Sequence, residues 1–339
     1  MQIFENVSLK LHGTMRLGGN TRYACDVTSE NDLLEALKFA DNKNIPVRVI
    51  GKGSNIIWQD SGYEGLLIVN KIPGFELMHD GITVCIGAGI EWDQAVKLSV
   101  DKGLSGLESL SLIPGTVGAT PVQNVGAYGS EVKDTIVSLR SYDMQSKSFI
   151  ELSNNECEFG YRTSRFKTTD SGRFIIMSVT FKLSLDAPQP PFYVSLQQYL
   201  DSKGVSDYSP QTIRDAVISI RTNKLPNPAI IANNGSFFAN PVIEKEHFNK
   251  LRQDYPEIKS WTLQDDKVKI AAGWLIEQAG FKDYHDSETG MATWHEQSLV
   301  LVNEHATSTS QLLAFKQKIV SAVQEKFGII LEQEPELLP

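Results

Sequence analysis

The chain has 339 residues, of which 41% are hydrophobic and 22% are charged. This balance excludes a disordered chain and predicts two or three folded domains. Lysine and arginine number 32 against 41 acidic residues, which gives a formal net charge of −9. An acidic protein is a poor non-specific binder of nucleic acid or anionic lipid, so we expect neither partner. An anionic ligand would need a local cluster of hydrogen-bond donors.

Cysteine and histidine usage gives no sign of a metal site or a disulfide framework. The three cysteines include no C-x-x-C pair, and the six histidines include no pair four residues apart. The first residues, MQIFENVSLKLHG, do not read as a signal peptide. No run approaches the ~18 apolar residues of a membrane-spanning helix. We therefore expect a cytoplasmic protein with no bound metal.

The first 70 residues read as α/β, and further strand and helix patterns follow. Ser29 and Asp32 resemble a capping box ahead of an apolar stripe that includes Leu33 and Leu37. Strands are predicted at 46–50, 66–69 and 82–89, and a helix is predicted from Glu91 to near Gly103. The segment GKGSN (51–55) follows the first of these strands and precedes an apolar run, Ile56-Ile57-Trp58, that reads as another strand.

Residues 110–130, LSLIPGTVGATPVQNVGAYGS, follow neither helical nor strand periodicity. Four glycines and two prolines lie there among few charges. Exposed loops are usually more polar, so a long apolar, glycine-rich loop indicates backbone packed against a ligand.

The rest of the chain mixes both element types. Strands are predicted near 134–142, at 177–183 and at 299–302, and helices at 211–222, 271–280 and 309–327 with Gly328 ending the last. The proline cluster at 187–191 marks a boundary or an exposed excursion, and NNGSFFANP reads as a turn.

Single motifs leave the chemistry open. GKGSN lacks the third glycine of a dinucleotide-binding fingerprint, and no P-loop motif is present. Taken alone, Ser236 is a turn residue or helix N-cap, and Arg162 and Glu336 are surface ion-pairing residues. Only their combination points to a function.

One family shares that combination across nearly the whole chain. The motifs are MRLGG (15–19), GKGSN (51–55), IPGTVGATPVQNVGAYG (113–129), FGYRTS (159–164), KLPNP (224–228), GSFFANP (235–241), AAGWLIEQAG (271–280) and EPE (334–336). In order and spacing they resemble the UDP-N-acetylenolpyruvoylglucosamine reductases of peptidoglycan synthesis, also called UDP-N-acetylmuramate dehydrogenases. Tyr193, in the proline-bounded excursion, makes the chain similar to the first of the family's two types.

The resemblance implies an α+β fold of the vanillyl-alcohol-oxidase type, in which two subdomains bind FAD and a third α+β domain binds substrate. We expect FAD-binding subdomain 1 at 1–70, FAD-binding subdomain 2 at 71–215 with a substrate loop near 187–200, and the substrate domain at 216–327. The tail, 328–339, is expected to return towards the active site.

The resemblance also implies the reaction and its catalytic residues. NADPH would reduce non-covalently bound FAD, and the enolpyruvyl group of the nucleotide sugar would then be reduced to a lactyl ether in the same cleft. Arg162 and Glu336 would stabilise the developing carboxylate charge, and Ser236 would protonate the carbanionic carbon. The tail also contains Glu334, and Glu336 is favoured because it follows the proline.

Ligand contacts follow from the same match. Tyr193 and Lys224 would contact the diphosphate, and Asn240 and Gln297 would complete the contacts to the substrate. The expected cofactor-binding residues are Gly51, Lys52, Gly53, Ser54, Asn55, Pro114, Gly115, Thr116, Gly118, Ala119, Val122, Gln123, Asn124, Gly126, Ala127 and Tyr128. Backbone N–H groups of these glycine-rich loops could form anion-binding nests. We also expect a small-molecule substrate, NADPH as the co-substrate and a monomeric protein.

Two other functions are compatible with parts of the sequence. An FAD-dependent oxidase of the same fold often attaches FAD through histidine or cysteine, but neither residue occurs between Cys85 and Cys157. A non-catalytic nucleotide-sugar-binding protein would have no need to keep the serine, arginine and glutamate together.

Overall fold

The structure is a computed structural model that describes residues 1–263 and 265–339. Contacts divide the chain into two compact units. Unit 1 comprises Met1–Val7, Thr21–Lys52 and Glu64–Thr222, and unit 2 comprises Ser8–Asn20, Gly53–Tyr63 and Asn223–Pro339. Unit 1 thus takes in most of both predicted FAD-binding subdomains, whose separation at residue 70 stays a prediction.

Seven α-helices lie in the described residues. They are α1 (Glu30–Lys43), α2 (Trp92–Asp101), α3 (Val194–Ser202), α4 (Pro210–Lys224), α5 (Lys245–Asp254), α6 (Ala272–Gln278) and α7 (Thr309–Phe327). The predicted helices are confirmed within one or two residues at most ends, whereas α3 and α5 were not predicted.

Strands make up the rest of the regular structure. They are β1 (Ile3–Ser8), β2 (Asn20–Val27), β3 (Val47–Ile50), β4 (Ile56–Trp58), β5 (Tyr63–Asn70), β6 (Phe75–Leu77), β7 (Thr83–Gly87), β8 (Gly126–Ala127), β9 (Ser130–Glu131), β10 (Ile136–Asp143), β11 (Ser148–Ser153), β12 (Phe174–Lys182), β13 (Ala232–Ser236), β14 (Val242–Glu244), β15 (Ser260–Thr262), β16 (Lys267–Ile270), β17 (His285–Asp286), β18 (Met291–Trp294), β19 (Gln297–Asn303) and β20 (Glu336–Leu338).

Unit 1 is built on two sheets. The first has the order β1-β2-β5-β3 with β3 parallel to β5, and the second has the antiparallel order β11-β10-β12-β7-β6. In the central strand β12, Met177, Val179 and Phe181 are buried while Ser178 and Thr180 are half-buried, as the alternation predicts. Helix α1 packs the buried Leu33 and Leu37 into the core shared with the first sheet.

The caps of α1 explain its ends. Ser29 Oγ accepts a hydrogen bond from the amide of Asp32 at 3.1 Å, which is half of the predicted capping box. The Asp32 carboxylate accepts from the amide of Thr28, at 3.0 Å, instead of that of Ser29. Asn44 ends the helix in the left-handed conformation that asparagine tolerates.

Unit 2 also has two main sheets, β13-β19-β18-β17 and β14-β16-β15, together with the parallel pair β20-β4. Helices α6 and α7 cover one face of the first sheet through buried side chains such as Leu275, Phe315 and Ile319. Helix α7 starts at a full capping box between Ser308 and Gln311, and Gly328 ends it at φ +66° as predicted.

Residues 1–263 and 265–339 contain neither a membrane-spanning helix nor a metal-binding cluster. None of the helices there is long and apolar enough to cross a membrane. The same residues contain no group of three or more histidine, cysteine or acidic side chains placed to hold a metal ion.

Candidate functional site

In unit 1, the two loops that are predicted to bind the cofactor lie so close together that position 51 has no space for a side chain. A Cβ placed on Gly51 would lie 2.2 Å from Oγ1 of Thr116, which is itself buried. The neighbouring Lys52 forms an exposed ion pair with Glu91. Glycine at position 51 is therefore required by the close approach of the second loop.

The second loop packs against the connection between β7 and α2. The amide of Trp92 donates to the carbonyl of Gly115 at 3.1 Å, and the amide of Gly118 donates to the carbonyl of Ala88 at 2.9 Å. A Cβ on Gly118 would lie 2.6 Å from the Cβ of Ala88. Glycine 118 thus brings the backbone of the loop against the sheet, as expected for a backbone that cradles a ligand.

Side chains fix the rest of the predicted cofactor segment, which also contains Pro114, Ala119, Gln123 and Ala127. The side chain of Asn124 is fully buried, and its Nδ2 donates to Glu131 Oε2 and to the carbonyl of Gly160, each at 2.9 Å. The carbonyl of Val122 accepts from Ser164 Oγ at 2.6 Å. Asn124 therefore supports the loop, and its side chain is not available to a cofactor.

Strands β8 and β9 form a hairpin whose two central residues are Tyr128 and Gly129. Both have positive φ, +49° and +84°, which is the signature of a type I′ turn. Asparagine or glycine usually occupies the first of these positions, so a tyrosine there is conformationally costly. The ring of Tyr128 meets that of Tyr193 edge to face, with centroids 6.1 Å apart. Tyr193 is exposed and immediately precedes α3.

Arg162 lies at the base of the same hairpin. Its Nη2 donates to the carbonyl of Gly126 at 2.5 Å, and its φ is +54°. Strained backbone in a non-glycine residue is a feature of functional sites. Unit 1 thus brings together Arg162, the hairpin residues and Tyr193, which the sequence had placed in catalytic, cofactor and substrate roles.

In unit 2, Ser236 is the last residue of β13 and pairs with Val300 of β19. The interpretation of NNGSFFANP as a turn is therefore wrong for residues 233–236. A register shift between Asn233 and Ser236, with Gly235 at φ +71°, made the strand look irregular from sequence. Ser236 is exposed, and its hydroxyl makes no hydrogen bond to another residue of the described parts of the chain.

The tail runs alongside residues 237–239, which directly follow the strand that ends at Ser236. The amide of Glu334 donates to the carbonyl of Phe237 at 2.9 Å, and the amide of Ala239 donates to the carbonyl of Glu332 at 3.0 Å. Beyond Pro335 the chain enters β20, where Glu336 pairs with Ile56 of β4 in parallel register. Within unit 2, the backbone of Glu334 therefore contacts the segment just after Ser236, and the backbone of Glu336 contacts residues 55–56.

Asn234 was not singled out from the sequence. Its amide nitrogen donates to the carbonyls of Ser54 and Ile56, each at 3.1 Å, and to Thr14 Oγ1 at 3.2 Å. This buried side chain, two positions before Ser236, therefore fixes the end of GKGSN. Because NNGSFFANP reads as a turn in the sequence, no local pattern indicated this role.

The remaining GKGSN residues are also packed closely within unit 2. Gly53 has φ +68°, and a Cβ there would lie 2.2 Å from the carbonyl oxygen of His12. The carbonyl of Gly53 accepts from the amide of Thr14 at 3.2 Å, and the carbonyl of Asn55 accepts from the amide of Glu336 at 3.0 Å.

The predicted substrate residues of unit 2 gather around α6. Oδ1 of Asn240 accepts from the amide of Ala272 at 2.9 Å, and a Cβ on Gly273 would lie 2.8 Å from Oε1 of Gln297. Asn240 and Gln297 therefore both lie at the first turn of α6. The side-chain amide oxygen of each residue faces this turn of the helix.

Lys224 ends α4 and belongs to the same neighbourhood. Its side chain is exposed as a whole, but its ammonium lies close enough to the protein surface to be partly desolvated. This desolvation, followed by the positive charge of Lys259, lowers the pKa of Lys224, and Glu277 of α6 opposes the change. A cation held near another cation favours an anionic ligand.

Comparison with known proteins gives a consistent result. A family model described as FAD binding domain matches residues 22–148, and one described as UDP-N-acetylenolpyruvoylglucosamine reductase, C-terminal domain, matches residues 227–338. The reductase of Ralstonia nicotianae is 40% identical over 330 residues, covering 96% of each chain. That of Alcanivorax borkumensis is 42% identical, covering 91% of this chain and 88% of its own.

The fold has a solved relative. The crystal structure of UDP-N-acetylenolpyruvylglucosamine reductase from Thermus caldophilus covers 100% of both chains with a TM-score of 0.69 and 23% identity. The predicted α+β fold class is confirmed. The chain belongs to the UDP-N-acetylenolpyruvoylglucosamine reductase family of FAD-dependent oxidoreductases.

Proposed function

We propose that this protein uses NADPH and FAD to reduce UDP-N-acetylglucosamine enolpyruvate to UDP-N-acetylmuramate for peptidoglycan synthesis. The observation that carries the proposal is the arrangement of unit 2, where the glutamate-bearing tail pairs with residues 237–239, directly after the strand that ends at Ser236. We place the reaction in the cytoplasm and expect the enzyme to act as a monomer on small molecules alone.

The tight approach of Gly51 to Thr116 and of Gly118 to Ala88 supports FAD binding, because a ligand's diphosphate needs bare backbone at such loops. When bound, FAD supplies hydride transfer from NADPH to the substrate. We assign the cofactor contacts to the residues of 51–55 and 114–128 named above, with Asn124 acting through the shape of the loop.

Arg162 and Glu336 are proposed to stabilise the carboxylate of the enolpyruvyl group. Negative charge grows there as hydride reaches the neighbouring carbon, and fixed donors at such a position are usually the largest catalytic contribution. The backbone of Arg162 is held at positive φ with its side chain on the hairpin carbonyl, so its orientation is set before ligand arrives. Glu336 is held by the β20–β4 pairing, whereas Glu334 lies at the crossing with Phe237.

Ser236 is proposed to donate the proton to the carbanionic carbon. Its hydroxyl is exposed at the end of β13, and Gly235 before it leaves the approach open, since nothing lies within 4 Å of a Cβ built there. A hydroxyl is a weak acid, but the developing carbanion is far more basic, so a fixed geometry suffices.

The visible spectrum of the purified protein tests the function. We expect a flavin band near ~450 nm that NADPH bleaches and that the enolpyruvyl nucleotide sugar restores without oxygen, because the flavin passes electrons between the two. A band restored only by oxygen would instead identify an oxidase. A protein that binds the nucleotide sugar and carries no flavin would refute the enzymatic assignment.

FAD is expected to be held without a covalent bond. Acid precipitation of the yellow protein should release all of the flavin into the supernatant, because neither histidine nor cysteine occurs between Cys85 and Cys157 to attach it. The measurement is the absorbance of supernatant and pellet near ~450 nm. Yellow colour retained by the pellet would contradict this prediction.

Gly51→Ala should reduce the flavin content of the purified protein to less than about a tenth. The new methyl group would lie 2.2 Å from Thr116 Oγ1, so the two cofactor loops must move apart. The ratio of flavin to protein absorbance measures the loss, and a thermal melt of the apoprotein shows that unit 1 still folds. Gly13→Ala is the matched control, because a Cβ there makes only an ordinary 3.5 Å contact with Trp58. Equal flavin content in both variants would contradict the prediction.

Lys224→Ala and Tyr193→Phe should each raise KM for the nucleotide sugar about tenfold with a smaller loss in kcat. Both groups are assigned to the diphosphate, away from the reacting carbons, so they bind ground state and transition state alike. Steady-state kinetics with the nucleotide sugar varied at saturating NADPH measures both constants. A large fall in kcat at unchanged KM would show that these residues act in the chemical step.

A further inference from the structure

One short stretch of backbone, at the start of β4, contacts both segments of unit 2 to which we assign the chemistry, strand β13 and the tail. Nδ2 of Asn234, in β13, donates to the carbonyl oxygens of Ser54 and of Ile56, each at 3.1 Å. The carbonyl of Asn55, between them, accepts from the amide of Glu336 at 3.0 Å. Three consecutive carbonyls are therefore bound in turn by the strand, by the tail and by the strand again.

The side chain of Asn234 depends on these contacts. It is 8% exposed, so little water is available to its NH₂ group. Nδ2 also lies 3.2 Å from Thr14 Oγ1, whereas Oδ1 is buried without a hydrogen-bond partner in the described parts of the chain. What asparagine contributes here is therefore its donors. An aspartate of the same shape would present only acceptors to the two carbonyls.

Backbone pairing of β13 is interrupted just before its last residue. Asn233 pairs with Val302 and Ser236 with Val300, so three steps along β13 match two along β19. The extra residue makes a bulge, a feature that re-aims side chains beside active sites. Gly235 lies in this bulge at φ +71°, and nothing lies within 4 Å of a Cβ built there. The asparagine between Asn233 and Gly235 therefore supplies the side-chain contacts that hold the bulge against β4.

We infer that Asn234 is a positioning residue that fixes Ser236 relative to Glu336 through the carbonyls of residues 54–56. The inference rests on the proposed function, which assigns proton donation to the serine and charge stabilisation to the glutamate. Both groups must act on neighbouring atoms of one substrate, so a small change in their separation slows the step in which they act together. This gives a role in the reaction to a side chain that touches neither substrate nor cofactor.

Hydrogen exchange of the purified holoenzyme tests the connection without turnover. In Asn234→Ala, the backbone amides of the tail peptide that contains Glu336 should exchange about tenfold faster. The carbonyl of Asn55 is then no longer fixed by hydrogen bonds to its two neighbours, and opening of the tail becomes easier by the net contribution of about one hydrogen bond. Unchanged exchange of the tail in this variant would overturn the inference.

Asn303→Ala is the matched control in the same sheet. Nδ2 of Asn303 also donates to two main-chain carbonyls, those of Met15 and Ala306, at 3.2 Å each, and neither belongs to residues 54–56. We therefore expect a comparable loss of stability with no change in the exchange of the tail. Tail exchange that rises equally in the control and in Asn234→Ala would overturn the inference, because it would reflect general destabilisation of unit 2.

The two half-reactions show whether the connection matters for chemistry. Asn234→Ala should slow reoxidation of the flavin by the enolpyruvyl substrate about 10- to 100-fold, as expected for a small misplacement of reacting groups. Reduction by NADPH should be unchanged, because it uses neither Ser236 nor Glu336. Stopped-flow absorbance measures both rates, and Asn303→Ala should leave both unchanged. Equal slowing of the two halves in Asn234→Ala, or of neither, would overturn the inference.

Asn234→Asp separates the donors from the shape of the side chain. Aspartate fills the same space without an NH₂ group, so this variant should slow reoxidation at least as much as alanine does. It should recover part of the rate, relative to Asn234→Ala at the same pH, as the pH falls and a protonated carboxyl regains one donor. Reoxidation at the parent rate in Asn234→Asp would overturn the inference. If this variant does not fold, Asn234→Ala decides alone.

A double-mutant cycle tests whether Asn234 acts through the serine. In a Ser236→Ala background, Asn234→Ala should slow reoxidation by less than about threefold further. Losses that simply multiply would show that Asn234 acts elsewhere and would overturn the inference. If the parent protein fails to reduce the enolpyruvyl substrate, the proposed function fails, while hydrogen exchange of the tail still decides whether Asn234 connects the two segments.

Discussion

Ser236→Ala is expected to leave flavin reduction by NADPH nearly intact and to slow reoxidation by the enolpyruvyl substrate at least ~10²–10⁴-fold, the loss typical of a missing general acid. Only the second half-reaction needs a proton at carbon. Stopped-flow absorbance of the flavin, run with each substrate separately, measures both rates. Because the strand pairing of Ser236 with Val300 is made by backbone and the side chain is exposed, the fold should be unaffected.

Ser236→Cys is the matched variant for this test. A thiol can still donate a proton from nearly the same position, so this variant should retain more of the second half-reaction than alanine does. If Ser236 had only a structural role, alanine would change the melting temperature and slow neither half selectively. Equal slowing of both halves would likewise exclude Ser236 as the proton donor.

Trp58→Ala should destabilise unit 2 by ~3–5 kcal/mol, the usual cost of emptying a large buried aromatic site. The side chain is 1% exposed, and its Nε1 donates to the carbonyl of His12 at 3.1 Å. The backbone carbonyl of Trp58 also accepts from Thr309 Oγ1 at 2.6 Å, and β4 pairs with the tail strand β20. Urea unfolding followed by circular dichroism measures the free energy of unfolding.

The control for this prediction is Trp261→Ala in the same unit. Trp261 is 41% exposed and contacts Lys269 over its ring face, so its removal should change the free energy of unfolding by less than about 1 kcal/mol. Similar losses for the two tryptophans would show that the β4 region is not a stabilising centre of unit 2.

Elements with a strong period were predictable from the sequence. Strand β12 alternates buried and half-buried residues, and α7 shows an apolar stripe that ends at a glycine. The loop at 110–130 was also recognisable, because glycines and prolines among apolar residues fit no regular element. The glycines of this loop predicted that something packs closely against it. They could not identify Gly51 as that neighbour, because this contact depends on the tertiary fold.

Features that depend on pairing between distant segments were not predictable. Ser236 looked like a turn residue because a register shift breaks the period of its short strand. The tail contacts that place Glu334 and Glu336 join segments about a hundred residues or more apart, and no local pattern encodes them.

The pairing of β4 with β20 joins two segments that are synthesised at very different times on the ribosome. Strand β4 leaves the exit tunnel early, but its partner Glu336–Leu338 is synthesised only after almost all of unit 1 and unit 2 has emerged. Unit 1 is complete once Thr222 has emerged, so it can fold while unit 2 is still being translated. Until the tail is synthesised, Ile57 and Trp58, both destined for burial, lack the contacts that β20 and Thr309 supply. Nascent chains are therefore most prone to aggregate during synthesis of the last third of the protein, when chaperone binding at 53–63 would matter most.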